Sequence, residues 1–365
     1  MKAVDGAVGA LEEEAQACGV VRPDVSAMLA APIPLTNREL VTPGQITAMM
    51  GDMYGDFPRT AGGFGDFNPQ GAFDRLTSAP ASETRALVSS INREASGTKI
   101  PASGWEDLTK GRPSGDLGYL DLATRNNSHF SGPSMVGTDN NMGTYDEFHS
   151  MALAAARAGE LDRARALESS AMHYLTDRHA AGHSFEKRGV MNVARDNTLF
   201  GGFDLIQNAV VKSVHDSYND EGVQVHDANG NSWPAFGDGS WEVEGNRENR
   251  ARTARSVTAS WGELADINAC EMPNSSAAPT AFAAHGTVPQ FDSALQVDAE
   301  ERARDETLGG AAWHSGASAL DVGTYKAGRW ANENLVDPVL NLKDSVLGSG
   351  AWLDREIRKL YGATF

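Results

Sequence analysis

Hydrophobic positions recur at helical spacing through the middle of this chain, and strand-like alternation is confined to one short stretch. Phe203, Ile206, Val210 and Val214 repeat every three or four residues and predict a helix from about Phe203 to Tyr218. Another is expected from about Leu161 to His179. Upstream, Thr144-Tyr-Asp-Glu147 reads as a capping box ahead of Phe148-His-Ser-Met-Ala-Leu-Ala-Ala-Ala, with Gly159 closing that helix. Thr42-Pro43 reads as a capped helix start, with a turn at Gly55. Further helix is expected at about 248 to 268, 317 to 346 and 351 to 360.

Alternation appears only between Val223 and Trp241, around Asn229-Gly230, and predicts a small hairpin. Residues 58 to 83 are rich in Gly, Pro, Phe and Asp without period and read as surface loop, and 271 to 297 look irregular. The fold expected is mainly α: a helical domain over 41 to 270 with long loops and a small hairpin excursion. Residues 1 to 40 form an N-terminal extension, and 271 to 365 a C-terminal helical extension packed on the same domain.

Composition narrows the function. No run of about twenty apolar residues is present, so no transmembrane segment is expected. Asp5 and Glu12 to Glu14 interrupt the apolar stretch a Sec leader needs. The chain is therefore expected in the cytoplasm, or exported by another route, or secreted if a leader has been removed. Cys18 and Cys270 are the only cysteines, which leaves metal binding to His, Asp, Glu and neutral oxygens. A net charge of −18 argues against duplex nucleic acid as partner but leaves room for one phosphate group at a local cationic pocket.

Candidate chemistry concentrates in His173-Tyr-Leu-Thr-Asp177-Arg-His-Ala-Ala-Gly-His183. One helical turn puts His173 and Asp177 on the same face, and Gly182 lets the chain bring His183 back toward them. His215 and Asn219 repeat the i, i+4 spacing on the next helix, and His129 lies in Asn126-Asn-Ser-His129-Phe130. Of nine histidines, seven fall between 129 and 226, which is hard to account for by packing alone. His179 points away from the His173 face by helical spacing and is expected to be exposed. His149 is open as a metal ligand or as a partner to one, while His226, His285 and His314 read as structural or surface residues.

The pattern His173-Tyr-Leu-x-Asp177-x5-His183, with Ser128-His129-Phe130 upstream, resembles the metal motif of the zinc-dependent phospholipase C and P1-nuclease superfamily over about residues 110 to 220. Thr42 to Gly55, Asn127-x-His-Phe and Val214 to Gly222 also resemble a divergent Het-C-like branch. The resemblance implies a first metal held by His129, His173 and Asp177, with Asp177 able to bridge, and a second held by His183 and His215. The family places an acidic residue where this chain has Asn219, so Asn219, Asp216 or Asp220 would complete that site. It also uses an aspartate to orient or deprotonate the attacking water, for which Asp116 and Asp52 are both candidates. Its third ion uses an N-terminal Trp and a nearby histidine. This chain begins with Met and has no histidine before His129, so two zinc ions or one are expected. Calcium is the alternative if carboxylates and amides outnumber imidazoles at a position.

The activity implied is hydrolysis of phosphate esters by metal-activated water, with a phospholipid or other small phosphoester as substrate. The alternatives are a single-strand nuclease or nucleotidase, and a metal-binding protein of the same fold with another reaction or a non-catalytic toxin or interaction role. Met53, Tyr54, Phe57, Phe64, Phe67 and Phe73 could line the mouth for acyl chains or bases, or pack on the core.

Overall fold

A computed structural model describes residues 23–57, 67–114, 117–134, 137–197, 204–237, 243–269 and 282–314. It is mainly helical, as expected. The expected helices at 317–346 and 351–360 lie outside the described residues.

The first elements are α1 (Val25–Ala30), a two-residue antiparallel pair β1 (Ile33–Pro34) and β2 (Leu40–Val41), and α2 (Pro43–Met49). The start of α2 is a reciprocal capping box: Thr42 Oγ1 accepts from Gln45 N–H, and Gln45 Oε1 accepts from Thr42 N–H. Met28, Ile33, Leu35 and Val41 are buried in the same core as the helices that follow. Next come α3 (Pro69–Ser78), α4 (Ala81–Ala95), α5 (Ala102–Thr109) and α6 (Tyr119–Arg125). The expectation of loop through residue 83 is corrected here. Asn68 caps α3 by accepting from Gly71 N–H, Pro69 opens it, and Ala72, Phe73 and Leu76 give it an apolar face.

The centre of the molecule is the antiparallel pair α7 (Asn141–Arg157) and α8 (Leu161–Asp177). The α7 helix starts three residues before the expected capping box. Asn140 Oδ1 accepts from Gly143 N–H, and Thr144 sits inside the helix, its hydroxyl donating to Asn140 O. At the other end Gly159, at φ +77°, closes a Schellman turn in which Gly159 N–H meets Ala156 O and Glu160 N–H meets Ala155 O. From Ala166 to Leu175 every residue of α8 is buried. Its small residues Ala164, Ala166 and Ala171 share that core with Ala152, Ala155 and Ala156 of α7. A helix buried all round must satisfy each polar side chain internally or use it. Ser169 and Ser170 donate to carbonyls one turn back, and Glu168 takes partners from two other helices. That leaves His173 and Asp177 at its C-terminal end.

The remaining elements are α9 (Lys187–Asn197), α10 (Asp204–Glu221), the hairpin β3 (Val223–His226) and β4 (Ser232–Ala235), α11 (Arg247–Ala269) and α12 (Ser293–His314). The hairpin turns at Gly230, φ +79°, as the Asn-Gly signal predicts. The first turns of α12 fall in the stretch expected to be irregular, and this helix packs on α9 and α10. One apolar cluster surrounds α7, α8 and α2, and a second joins α9, α10 and α12 through Phe130, Phe185, Val214 and Tyr218. Their seam runs between Tyr174 and Phe130, where His129 sits. Among the described residues no helix is long and apolar enough to cross a membrane.

His149 belongs to the first cluster. Its Nδ1 lies 2.7 Å from Glu168 Oε2 and its Nε2 3.0 Å from Glu263 Oε2, while the ring stacks on Tyr145 at 5.3 Å. Burial alone would lower its pKa, but the two carboxylates raise it to about 9. The stabilisation from this charge is therefore complete below the ordinary value near 6.5 and is lost as pH rises through about 9, an effect of about 3 kcal/mol. Thermal unfolding from pH 6 to 9.5 should show the wild-type Tm falling more steeply than that of His149→Gln. The nearby His285–Asp146 pair, 2.6 Å apart, is common to both proteins and cancels. Parallel curves would remove His149 as the source.

Candidate metal centre

Five elements deliver the site. His173 and Asp177 come from the last turns of α8, and His129 and His183 each end a short 3-10 turn, at Asn127–His129 and Ala181–His183. His215 comes from the middle of α10, and Asp52 from the turn after α2, where Gly51 adopts φ +81°. Two hydrogen bonds zip the turns together: Ser131 N–H donates to His183 O, and the His183 side-chain Nδ1 lies 3.0 Å from His129 O.

Asp177 Oδ2 is the hub. It lies 3.0 Å from His129 Nδ1, 3.5 Å from His173 Nε2 and 3.5 Å from His183 Nδ1. His129 Nδ1 and His173 Nε2 are 3.1 Å apart, and His183 Nε2 and His215 Nε2 are 3.0 Å apart. Zinc–nitrogen bonds of about 2.0–2.1 Å at tetrahedral angles separate neighbouring donors by about 3.3–3.5 Å. The side chains are thus spaced as ligands around cations, drawn slightly inward. Metal-compatible triads form at Asp52, His129 and His173 and at His129, Asp177 and His183.

Outer contacts aim the lone pairs. His173 Nδ1 lies 3.0 Å from Thr47 O, a pure acceptor, so this nitrogen carries the proton and Nε2 faces inward bare. His215 Nδ1 is likewise fixed by Asp216 Oδ1 at 3.0 Å, and His183 Nδ1 by His129 O. The facing Nε2 atoms of His183 and His215 are then both lone-pair donors, which repel unless a cation or proton lies between them. Asp177 Oδ2 is buried and accepts no hydrogen bond of acceptable geometry, despite the nearby nitrogens. Burial would raise its pKa, yet His183 and His173 hold the carboxyl well below the usual range. Burial lowers the pKa of His129 in turn, which keeps that ring neutral and able to bind metal. Residues and cation fit.

Asn219 is placed beside the second position but turned. Its Oδ1 accepts from Gly182 N–H at 2.6 Å, and its Nδ2 lies 3.3 Å from His215 Nε2. As placed it braces the His183 turn against α10. Asp216 faces Nδ1 of His215, away from the shared space, and Asp220 is exposed. The structure does not bring His149 to this cluster. Its partner Glu168 is nine residues before Asp177 on α8, about 13 Å along the axis, and its two nitrogens face opposite carboxylates. Asp116 lies outside the described residues, so Asp52 is the aspartate seen at the site.

His179 is buried, against expectation. The helix ends at Asp177, so helical spacing no longer sets its direction, and Nε2 lies 2.8 Å from Ser256 Oγ. Burial, with Arg178 and Arg252 nearby, pushes its pKa down to about 3. Met53, Tyr54, Phe67 and Phe73 are core residues, with Tyr54 Oη donating to Glu83 and its ring under Arg112. Phe57 is partly buried against the same core, and Phe64 lies outside the described residues. Met53, Tyr54, Phe67 and Phe73 therefore pack inward rather than lining a substrate mouth.

Sequence reasoning passed over Thr47, Asn141 and Gly51. Asn141 donates from Nδ2 to His129 O at 3.1 Å, and a Cβ on Gly51 would come within 2.6 Å of His173 Nε2 and 2.8 Å of His129 Cε1. Only the Thr42 to Gly55 segment, which contains Gly51-Asp52, hinted at the last. Comparison with family models, with curated proteins and with solved structures finds no match to this chain.

Proposed function

We propose that this chain is a zinc-dependent phosphoester hydrolase of phospholipase C type. The observation that carries the reading is the convergence of His129, His173 and His183 on the buried, unbonded Asp177 Oδ2, with His215 beyond. An imidazole-rich set without thiolates suits zinc, whereas calcium would call for six to eight oxygens. His129, His173 and Asp177 would hold one ion, and His183 and His215 a second. Bound ions would lower the pKa of a water and offset charge on phosphate oxygens. Asp52 is less buried than Asp177, so it is the group placed to orient that water and take its proton. Burial disfavours the charged form of His129, which leaves that ring free to bind metal. A net charge of −18 favours a small or headgroup-sized phosphoester over a polynucleotide.

Metal content by mass spectrometry, on protein purified without chelator, combined with hydrolysis of p-nitrophenylphosphorylcholine tests this. The expected result is two zinc ions per chain, activity abolished by chelator and restored by zinc, and kcat about 10²–10⁴-fold lower in Asp52→Asn. A protein that takes up neither zinc nor calcium would overturn the reading, and full metal with no turnover of any phosphoester would leave only a binding role.

A further inference from the structure

Lys187 is the first residue of α9 and is 2% exposed, yet no carboxylate among the described residues pairs with it. Its Nζ donates to Ala123 O at 3.3 Å, Thr124 O at 3.1 Å and Asn126 Oδ1 at 2.7 Å. Ala123 O and Thr124 O belong to the last turn of α6, where helix carbonyls lack intrahelical partners and carry the negative end of the dipole. Burial pulls the pKa of Lys187 down to about 7. Three acceptors match three N–H bonds, however, and only the ammonium form can serve all of them.

What this cation holds leads directly to the metal ligands. Asn126 O accepts the N–H of His129 and so closes the turn that presents its ring. The same ammonium lies 5.8 Å over the Phe130 ring, and Phe130 stacks on the His183 ring at 5.0 Å with planes 12° apart. Lys187 thus fastens the beginning of α9 to the end of α6, with the His129 turn on one side and the His183 turn, four residues earlier, on the other. We propose that Lys187 is a positioning residue for both cation positions, setting the His129 turn through Asn126 and the His183 ring through Phe130. The proposal rests on the zinc hydrolase reading for its functional meaning, but its geometric content does not depend on bound metal.

The test has two readouts on the full chain with 15N-labelled histidine. In metal-free protein, long-range 1H–15N spectra report imidazole tautomers. Wild type should show His183 as a single Nδ1–H tautomer, and Lys187→Met should show mixed tautomers at His183. In zinc titrations against a chromophoric chelator, Lys187→Met should bind about 10–100-fold more weakly, the usual cost of losing an outer partner. His149→Gln, which weakens the core elsewhere, should match wild type in both readouts. Lys187→Gln, which keeps two donors without the charge, carries the test if Lys187→Met does not fold. An unchanged His183 tautomer with zinc affinity within about twofold would overturn the proposal, as would an equal loss in His149→Gln. Should wild type bind no zinc, the hydrolase reading fails and the tautomer spectra alone decide on Lys187.

Discussion

Asp177→Asn should abolish the zinc binding proposed for this centre while leaving the helices in place. Asn is nearly isosteric with Asp, so the packing at the end of α8 survives. The loss is the single negative oxygen that His129, His173 and His183 all approach within 3.5 Å. Substituting even an outer partner of a metal ligand costs about 10–100-fold in affinity, and this oxygen lies at the centre. A weakening of more than about a hundredfold is expected. It is read most directly as thermal shift. A ligand at a hundred times its Kd stabilises by about 2.7 kcal/mol, which in a chain of 365 residues raises Tm by about 3–5 °C. Wild type should show that rise on adding zinc and Asp177→Asn should not, with far-ultraviolet spectra alike. A variant with the full zinc shift would remove Asp177 from the centre.

The legible parts of this protein were those whose information is local. The end of α8 announced itself because His173 and Asp177 are one turn apart and Gly182 follows, and the structure confirms that these residues meet. The Thr42 cap and the Asn229-Gly230 hairpin were legible for the same reason: a turn's chemistry lies within four residues. His149 was different. Its spacing fixed a helix face, but what lies on that face is Glu168 from α8 and Glu263 from α11, 114 residues away, and no periodicity encodes that meeting. His179 misled because helical spacing sets no direction past Asp177, where α8 stops. The start of α7 slipped by four residues because Asn140 and Thr144 are both competent caps, and burial of Asn141 and Met142 decides for the earlier one. Residues 69 to 78 looked like loop beside a Gly- and Phe-rich run, although Asn68-Pro69 was a readable start.

Gly51→Ala separates the shape of the centre from its chemistry, because no ligand atom changes. At φ +81° an L-residue costs about 1–2 kcal/mol, which alone should leave the protein folded. The added methyl would lie 2.6 Å from His173 Nε2, 2.7 Å from His173 Cδ2 and 2.8 Å from His129 Cε1. It would therefore drive apart the two rings that face Asp177, or fill the space between them. Ligand geometry tolerates little of this, since metal–nitrogen distances hold to about 0.2 Å. Zinc affinity at the first position should fall by more than about a hundredfold, while binding between His183 and His215 persists. Gly97→Ala is the matched control: φ is +93° and a Cβ there meets nothing within 4 Å, so it carries the backbone cost without the intrusion. Cobalt substitution makes the outcome visible, since the absorption of a tetrahedral nitrogen site should vanish from one position in Gly51→Ala and remain at both in Gly97→Ala. Equal loss in the two variants would mean that general destabilisation empties the site. Full binding by Gly51→Ala would mean that the rings of His129 and His173 do not close on a cation beside Gly51.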